Sequence, residues 1–286
     1  MKFTFWQAPK GYETALGPSL IAGAEANGDE VIIRPIEEYR LPASGGSIIL
    51  GVVKREILWE HQVAGIPCAY IDKGYHRARA DWQGANLPAW WRLCWNATHP
   101  TAYLMDTVRP ADRWTYQGVR LQDRRRGDRI LLLGSSAKFH ETERLPHPTA
   151  WAQGVVDTVR HITPCEIVYR PKPSWKGAEA VAGATFDHGG KSQVADALAR
   201  AWCSITYGSI AAVDSIIAGV PCIVIGNAVA RPISGTSLTQ VLDPYWPAAT
   251  RREQWAANLA YCHFTPAEIA AGTAWSILKE QLCHAV

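Results

Sequence analysis

Short apolar runs alternate with longer amphipathic stretches through most of the chain, and the two kinds of segment have different periods. The spacing predicts strands over 3–7, 30–34, 47–53 and 67–72, with helices over 18–26 and 54–64 between them. Strands alternating with helices in this way build a parallel sheet with crossover helices. Over 73–117 the pattern weakens into aromatic, arginine-rich, proline-punctuated sequence in which only 87–96 reads as helix. Such segments usually carry function or an insertion.

Alternation restarts after the charged run 120–129. A strand over 130–133 ends in Gly134-Ser135-Ser136, followed by a helix over 149–161, strands over 166–169 and near 184–186, and a helix over 193–202. An apolar run over 203–207 then meets Gly208-Ser209, a helix pattern, Gly219-Val220-Pro221 and a second apolar run ending at Gly226. The tail is helical, and Thr265-Pro266-Ala267-Glu268 has the hydroxyl, proline and glutamate of a capping box. The second half therefore repeats the first. The expected fold class is α/β, two Rossmann-like doubly wound domains facing a cleft. Their expected bounds are 1–125 and 126–286, with the last helices packing back on the first domain.

Length agrees with this division, since 286 residues fill two domains of ordinary size. The 48% hydrophobic and 19% charged fractions are those of a globular protein, and no apolar run is long enough to cross a bilayer. The N-terminal apolar stretch is too short for a signal peptide, so a cytoplasmic location is expected. Seven cysteines without a CxxC pair argue against zinc and disulfides. A net charge of +3 does not by itself identify a nucleic-acid binder.

Candidate chemistry sits where strands end, because doubly wound sheets bind ligands at their carboxyl ends. Arg170-Pro171-Lys172-Pro173 places two cations, stiffened by prolines, directly after an apolar strand, which suits phosphates. Gly208-Ser209 opens a helix and offers backbone N–H groups to an anion; it also serves as a plain turn with Ser209 as N-cap. Asp214 lies within the helix that follows. Gly134-Ser135-Ser136-Ala137-Lys138 is not a Walker A loop, and no GxGxxG follows the first strand.

The segment Ile167-Val168-Tyr169-Arg170-Pro171-Lys172-Pro173, with Ile205-Thr206-Tyr207-Gly208-Ser209, Ala211, Asp214 and Ile217-Ala218-Gly219-Val220-Pro221, resembles the C-terminal, donor-binding half of GT-B glycosyltransferases. The resemblance spans roughly residues 130–226. It implies a metal-independent, hexosyltransferase-type enzyme that takes a nucleotide sugar, a UDP-sugar above others, as donor substrate with no permanently bound cofactor. By position it implicates Arg170, Lys172, Gly208 and Ser209 in holding the diphosphate, with Ser135 and Ser136 beside the same pocket. Many relatives have histidine at the place of Lys172 and glutamate at the place of Asp214, so the ribose carboxylate stays open. Epimerases acting on UDP-sugars share the architecture.

An inverting transferase needs a base for the acceptor hydroxyl. Asp72, after the buried run 66–71, and His76 are the candidates; His99 and His188 are weaker ones. Partial burial at a strand end is expected to raise the Asp72 pKa; a turn-forming aspartate and a surface-loop histidine are the plain readings. Arg77, Arg79, Trp82, Trp90, Trp91, Arg124, Arg125 and Arg126 mix cations with flat rings, which suits DNA with a flipped base, or a glycan. The compact two-domain form resembles phage-type DNA glycosyltransferases, which would act in a host cytoplasm. The expected reaction is therefore sugar transfer to a hydroxyl, with 5-hydroxymethylpyrimidine in DNA ahead of a cell-surface glycan. An epimerase or a non-catalytic nucleotide or nucleic-acid binding protein are the alternatives.

Overall fold

A computed structural model describes residues 1–9, 11–42, 44–51, 55–76, 90–188 and 193–283. The chain divides into two compact units: Met1–Gly118 with Ala257–Val286, and Val119–Ala256.

The first unit contains β1 (Lys2–Gln7), α1 (Gly11–Glu25), β2 (Glu30–Pro35), β3 (Ser47–Leu50), α2 (Arg55–Ala64), β4 (Cys68–Lys73), β5 (Trp91–Trp95), α3 (Thr101–Asp106) and α4 (Asp112–Gln117). The second contains β6 (Arg129–Leu133), α5 (Ala137–Thr142), α6 (Pro148–Ile162), β7 (Glu166–Arg170), β8 (Thr185–Phe186), α7 (Val194–Leu198), β9 (Ala201–Thr206), α8 (Ala211–Ile217) and β10 (Cys222–Val224). The division falls inside α9 (Ala249–Ala260), after which β11 (His263–Phe264), α10 (Pro266–Ala270) and α11 (Thr273–Cys283) belong to the first unit.

In the first unit six strands run in the order β11-β5-β4-β3-β1-β2. The first four strands of the chain are parallel, whereas β5 is antiparallel to β4 and β11 antiparallel to β5. The sheet is thus mixed, not purely parallel. Side chains alternate between its faces: Phe3, Phe5, Ile48, Leu50, Ala69 and Ile71 join the core that includes Leu16, Leu20 and Trp275, while Trp6, Ile49, Cys68, Tyr70 and Cys94 join Ile57 on the other face. The expected helix over 87–96 is a strand in its described part. Trp91, Leu93 and Trp95 enter one core and Cys94 the other, a period of two that paired aromatics disguised as a helical stripe. The helix expected over 18–26 begins at Gly11 and contains Pro18. Burial of Leu16, Leu20 and Ala24 offsets the hydrogen bond that proline removes.

The second unit's five strands are all parallel, in the order β10-β9-β6-β7-β8. Ile130, Leu132, Ile167, Tyr169, Cys203 and Ile205 pack with Ala152, Val155, Val156 and Val159 of α6. Leu131, Leu133 and Val168 pack with Leu198 and Val220 on the opposite face. This is a doubly wound sheet. The helix expected over 193–202 ends at Leu198, and β9 starts at Ala201. The capping box is formed: the Thr265 hydroxyl accepts from the Glu268 amide at 3.2 Å, and the Thr265 amide donates to Glu268 Oε2 at 2.8 Å. It opens the short α10.

Candidate functional sites

Because the second sheet is wholly parallel, the segments after β6, β7, β8, β9 and β10 emerge along one edge. The chain runs outward from β6 to β7 and β8, then returns to β9 on the other side of β6. The reversal puts the switch point between β6 and β9, flanked by Gly134-Ser135 and Gly208-Ser209. Close approach explains both glycines. A Cβ on Gly208 would lie 2.6 Å from the Asn227 carbonyl oxygen and 2.8 Å from Phe139 Cζ, and one on Gly134 3.1 Å from Pro171 Cα. The loops after β6, β7, β9 and β10 therefore touch one another. Arg231, which the sequence reading missed, donates to the carbonyls of Val224, Ile225 and Gly226 at 2.8–3.3 Å and pins the end of β10.

Several expected donor-site groups have partners already. Arg170 is not a free cation: its guanidinium is 4% exposed and pairs with Asp187 Oδ2 at 2.5 Å. Lys172 is the exposed cation of that motif. The Ser209 amide donates to Thr206 Oγ1 at 3.1 Å, and its hydroxyl accepts from the Ala211 amide at 3.2 Å. Ser209 thus builds its own turn, and the N-cap of α8 is Ile210. Among the described residues the amides of Gly208 and Ile210 make no hydrogen bond. Ser135 is buried, Ser136 is the N-cap of α5, and Asp214 is partly buried in α8. Glu143, also missed, is partly buried, and burial pushes its carboxyl upward.

The first unit assembles a polar row across three strands. Register sets Asp72 on β4 opposite Arg92 on β5, and Arg92 opposite His263 on β11. Arg92 Nη2 donates to Asp72 Oδ2 at 2.8 Å, Tyr70 Oη donates to the same oxygen at 2.9 Å, and the Lys73 amide donates to Oδ1 at 2.7 Å. The carboxylate is 32% exposed and the guanidinium 6%. Burial works against the Arg92 charge, but Asp72 more than restores it and the group stays protonated. Asp72 is therefore a held carboxylate at a strand end and not an isolated base in an apolar wall.

His76 is buried, contrary to a surface-loop reading. Its Nε2 and that of His263 both reach Gln117 Oε1, at 2.9 and 3.1 Å. Gln117 Nε2 donates to the Ala260 carbonyl, so Oε1 accepts from both imidazoles and both carry their proton on Nε2. His263 Nδ1 then accepts from the Tyr75 amide at 3.3 Å. Burial holds both histidines below the usual range, His263 further because His76 and Arg113 add to it. Trp90, Trp91 and Trp114 are buried too, with Trp90 stacked on His263 at 5.3 Å. These rings offer no free face to a base or sugar. His99 is buried and His188 exposed; Arg77, Arg79 and Trp82 lie outside the described residues. Arg124, Arg125 and Arg126 are exposed in the second unit, Arg124 lying 5.4 Å over the Trp202 ring.

No protein-family model matches the sequence, and no curated protein matches it. Two solved structures share its fold. The β-Kdo 2,4-transferase of Thermosulfurimonas dismutans KpsC superposes with a TM-score of 0.55 at 12% identity, covering 90% of each chain. The β-Kdo 2,7-transferase of the same KpsC superposes at 0.51 and 12% identity, covering 98% of this chain and 99% of that one. The fold is that of the GT-B glycosyltransferases. Among the described residues no helix is long and apolar enough to cross a membrane, and no three His, Cys, Asp or Glu side chains gather as a metal site.

Proposed function

We propose that the protein is a glycosyltransferase that moves a sugar from a nucleotide-activated donor to an acceptor hydroxyl. The observation that carries this reading is the carboxyl edge of the second sheet, where four contacting loops present close-packed glycines and unbonded amides at the topological switch point, with Lys172 in the loop after the neighbouring β7. In this reading the Gly208 and Ile210 amides and Lys172 meet the charge of the departing phosphate, in place of a metal. Asp72 is the base: its carboxylate is partly exposed, whereas His76 is buried with Nε2 spent on Gln117. As the acceptor oxygen attacks the anomeric carbon, its proton passes to Asp72, and the bond to the nucleotide phosphate breaks with its electron pair on the leaving group. Arg170 serves as a buried brace for the β7 loop.

A glycan is the favoured acceptor. The KpsC structures are named as Kdo transferases. The first unit, which carries the base, has 13 Lys and Arg against 14 Asp and Glu, net −1, which does not suit a polyanion. The exposed Arg124, Arg125 and Arg126 favour a second reading, hydroxymethylated DNA. Nucleotide release from a panel of nucleotide sugars, with oligosaccharide or modified duplex added, tests both. Acceptor-stimulated release that disappears in Asp72→Asn supports the transferase. Nucleotide binding without release on any donor returns the chain to a binding protein, and sugar interconversion without acceptor makes it an epimerase.

A further inference from the structure

The amino edge of the second sheet, the end away from the donor loops, carries a basic strap that the fold holds in place without using its charges. Residues 120–128 run without helix or strand in front of β6. The Gln122 amide donates to the Ile217 carbonyl at 2.9 Å, the Arg125 amide to that of Gly219 at 2.7 Å and the Asp128 amide to that of Arg200 at 3.0 Å. Arg252 Nη1 donates to the Gln122 carbonyl at 3.1 Å. The strap lies so close on the turn at Gly219, where φ is +77°, that a Cβ there would collide with the Asp123 carbonyl. Arg124, Arg125 and Arg126 are all exposed. Among the described residues the Arg125 and Arg126 side chains make no ion pair or hydrogen bond, whereas Asp128 is taken by Arg200 and Arg129. The backbone that presents these cations is already ordered, so little freedom is lost when an anion meets them.

An apolar feature sits beside the strap. Gly127 and Asp128 line an open cavity of about 260 Å³ together with Trp202, Val241 and Leu242. Trp202 also carries Arg124 over its ring at 5.4 Å, so strap and cavity form one surface. Among the described residues of the second unit, the most exposed large apolar side chains are Leu242, at 62%, and Tyr245, at 37%. A lone exposed leucine is ordinary on a protein surface. Beside unpaired cations it discriminates between anionic partners. A polyanion such as DNA gains from the arginines and nothing from covering a leucine, whereas a bilayer takes guanidinium groups on its phosphates and an apolar side chain beneath them. The exposed carboxylates of these segments, Asp123 and Asp243, stand against Arg120, Arg124, Arg125 and Arg126, and the surface stays positive. We propose that the amino edge of the second sheet docks on an anionic phospholipid bilayer, with Arg125 and Arg126 on lipid phosphates and Leu242 dipping between the headgroups. Gly134, Lys172 and Gly208 lie at the opposite edge of the same sheet, so this surface is separate from the donor loops and does not depend on the transferase reading.

Co-sedimentation of the full chain with vesicles tests this, using phosphatidylcholine alone and phosphatidylcholine mixed with phosphatidylglycerol in equal parts, at low and high salt. The protein sediments with the mixed vesicles and not with the neutral ones, and added salt releases it as the charges are screened. Arg125→Gln with Arg126→Gln weakens binding by roughly fivefold for each charge removed, and Leu242→Ser weakens it by about three- to fivefold. The Tm of the free protein is unchanged in both variants, because all three side chains are exposed. The same proteins are titrated with duplex DNA. DNA bound more tightly than the mixed vesicles, with Leu242→Ser binding it as the wild type does, makes the strap a nucleic-acid surface and overturns the proposal. No sedimentation with mixed vesicles at low salt, equal sedimentation with neutral ones, or binding that the arginine variant leaves unchanged overturns it as well.

Discussion

The polar row of the first unit and the carboxyl edge of the second are built by different means. In the second unit topology does the work: five parallel strands deliver their following loops to one edge, and glycines let those loops touch. In the first unit register does it. Asp72, Arg92 and His263 come from segments up to 191 positions apart and meet because three strands pair with one alignment. The consequence is a difference in what can be removed. A loop group such as Lys172 can go without disturbing a core, whereas any member of the row leaves a buried partner uncompensated.

The sharpest test of that difference is Asp72→Ala. It strands the buried Arg92 charge and costs about 3 kcal/mol as well as abolishing turnover, read by chemical denaturation and nucleotide release. A cost near zero would mean the guanidinium finds other partners and the row is not one unit. Asp187→Ala exposes the same logic in the second unit, stranding Arg170 at a similar cost, while Arg170→Met with its partner removed in the same chain should recover part of it.

Gly208→Ala comes next. Its Cβ would meet the backbone of Asn227 and the Phe139 ring, so about 1–3 kcal/mol is lost along with nucleotide binding. Unchanged binding would show that the β9 loop lies outside the donor site.

The histidine pair gives a smaller, pH-dependent effect confined to the first unit. Both imidazoles have folded-state pKa values below the usual 6.5, so the unfolded chain takes up protons first as the pH falls. Their contribution is fully present above about 6.5 and is lost as the pH drops from there through the lowered folded values. Unfolding followed between pH 8 and 5 should show the first unit weakening, and Gln117→Leu, which removes the shared acceptor, should lower its stability throughout. A first unit indifferent to acid would contradict the neutral, buried assignment.

How much of this was legible in the sequence follows the same divide. Strand ends of the second unit could be read directly, because a parallel strand is a short apolar run and its functional loop is the next residue along; Gly134, Lys172 and Gly208 fall where that logic puts them. The reading missed what depends on pairing. Arg170 looked like a free cation because nothing local marks Asp187, seventeen residues on, as its partner. Trp90 and Trp91 looked available because the strand they introduce was mistaken for a helix. Asp72 and His76 were singled out without Arg92 and His263, since no short-range signal says that β5 pairs with β4 or that β11 adds itself beside β5.

Lys172→Ala is the smallest change to the fold, because the side chain is exposed, and it bears most directly on function. The decisive measurement is calorimetric titration of nucleoside mono- and diphosphates and nucleotide sugars into the wild type and Lys172→Ala. The account predicts selective binding of one nucleotide to the wild type, weakened roughly tenfold in the variant at unchanged Tm, the worth of one charge-assisted contact. Equal binding to both proteins, or none to the wild type, would contradict a donor site at the carboxyl edge of the second sheet.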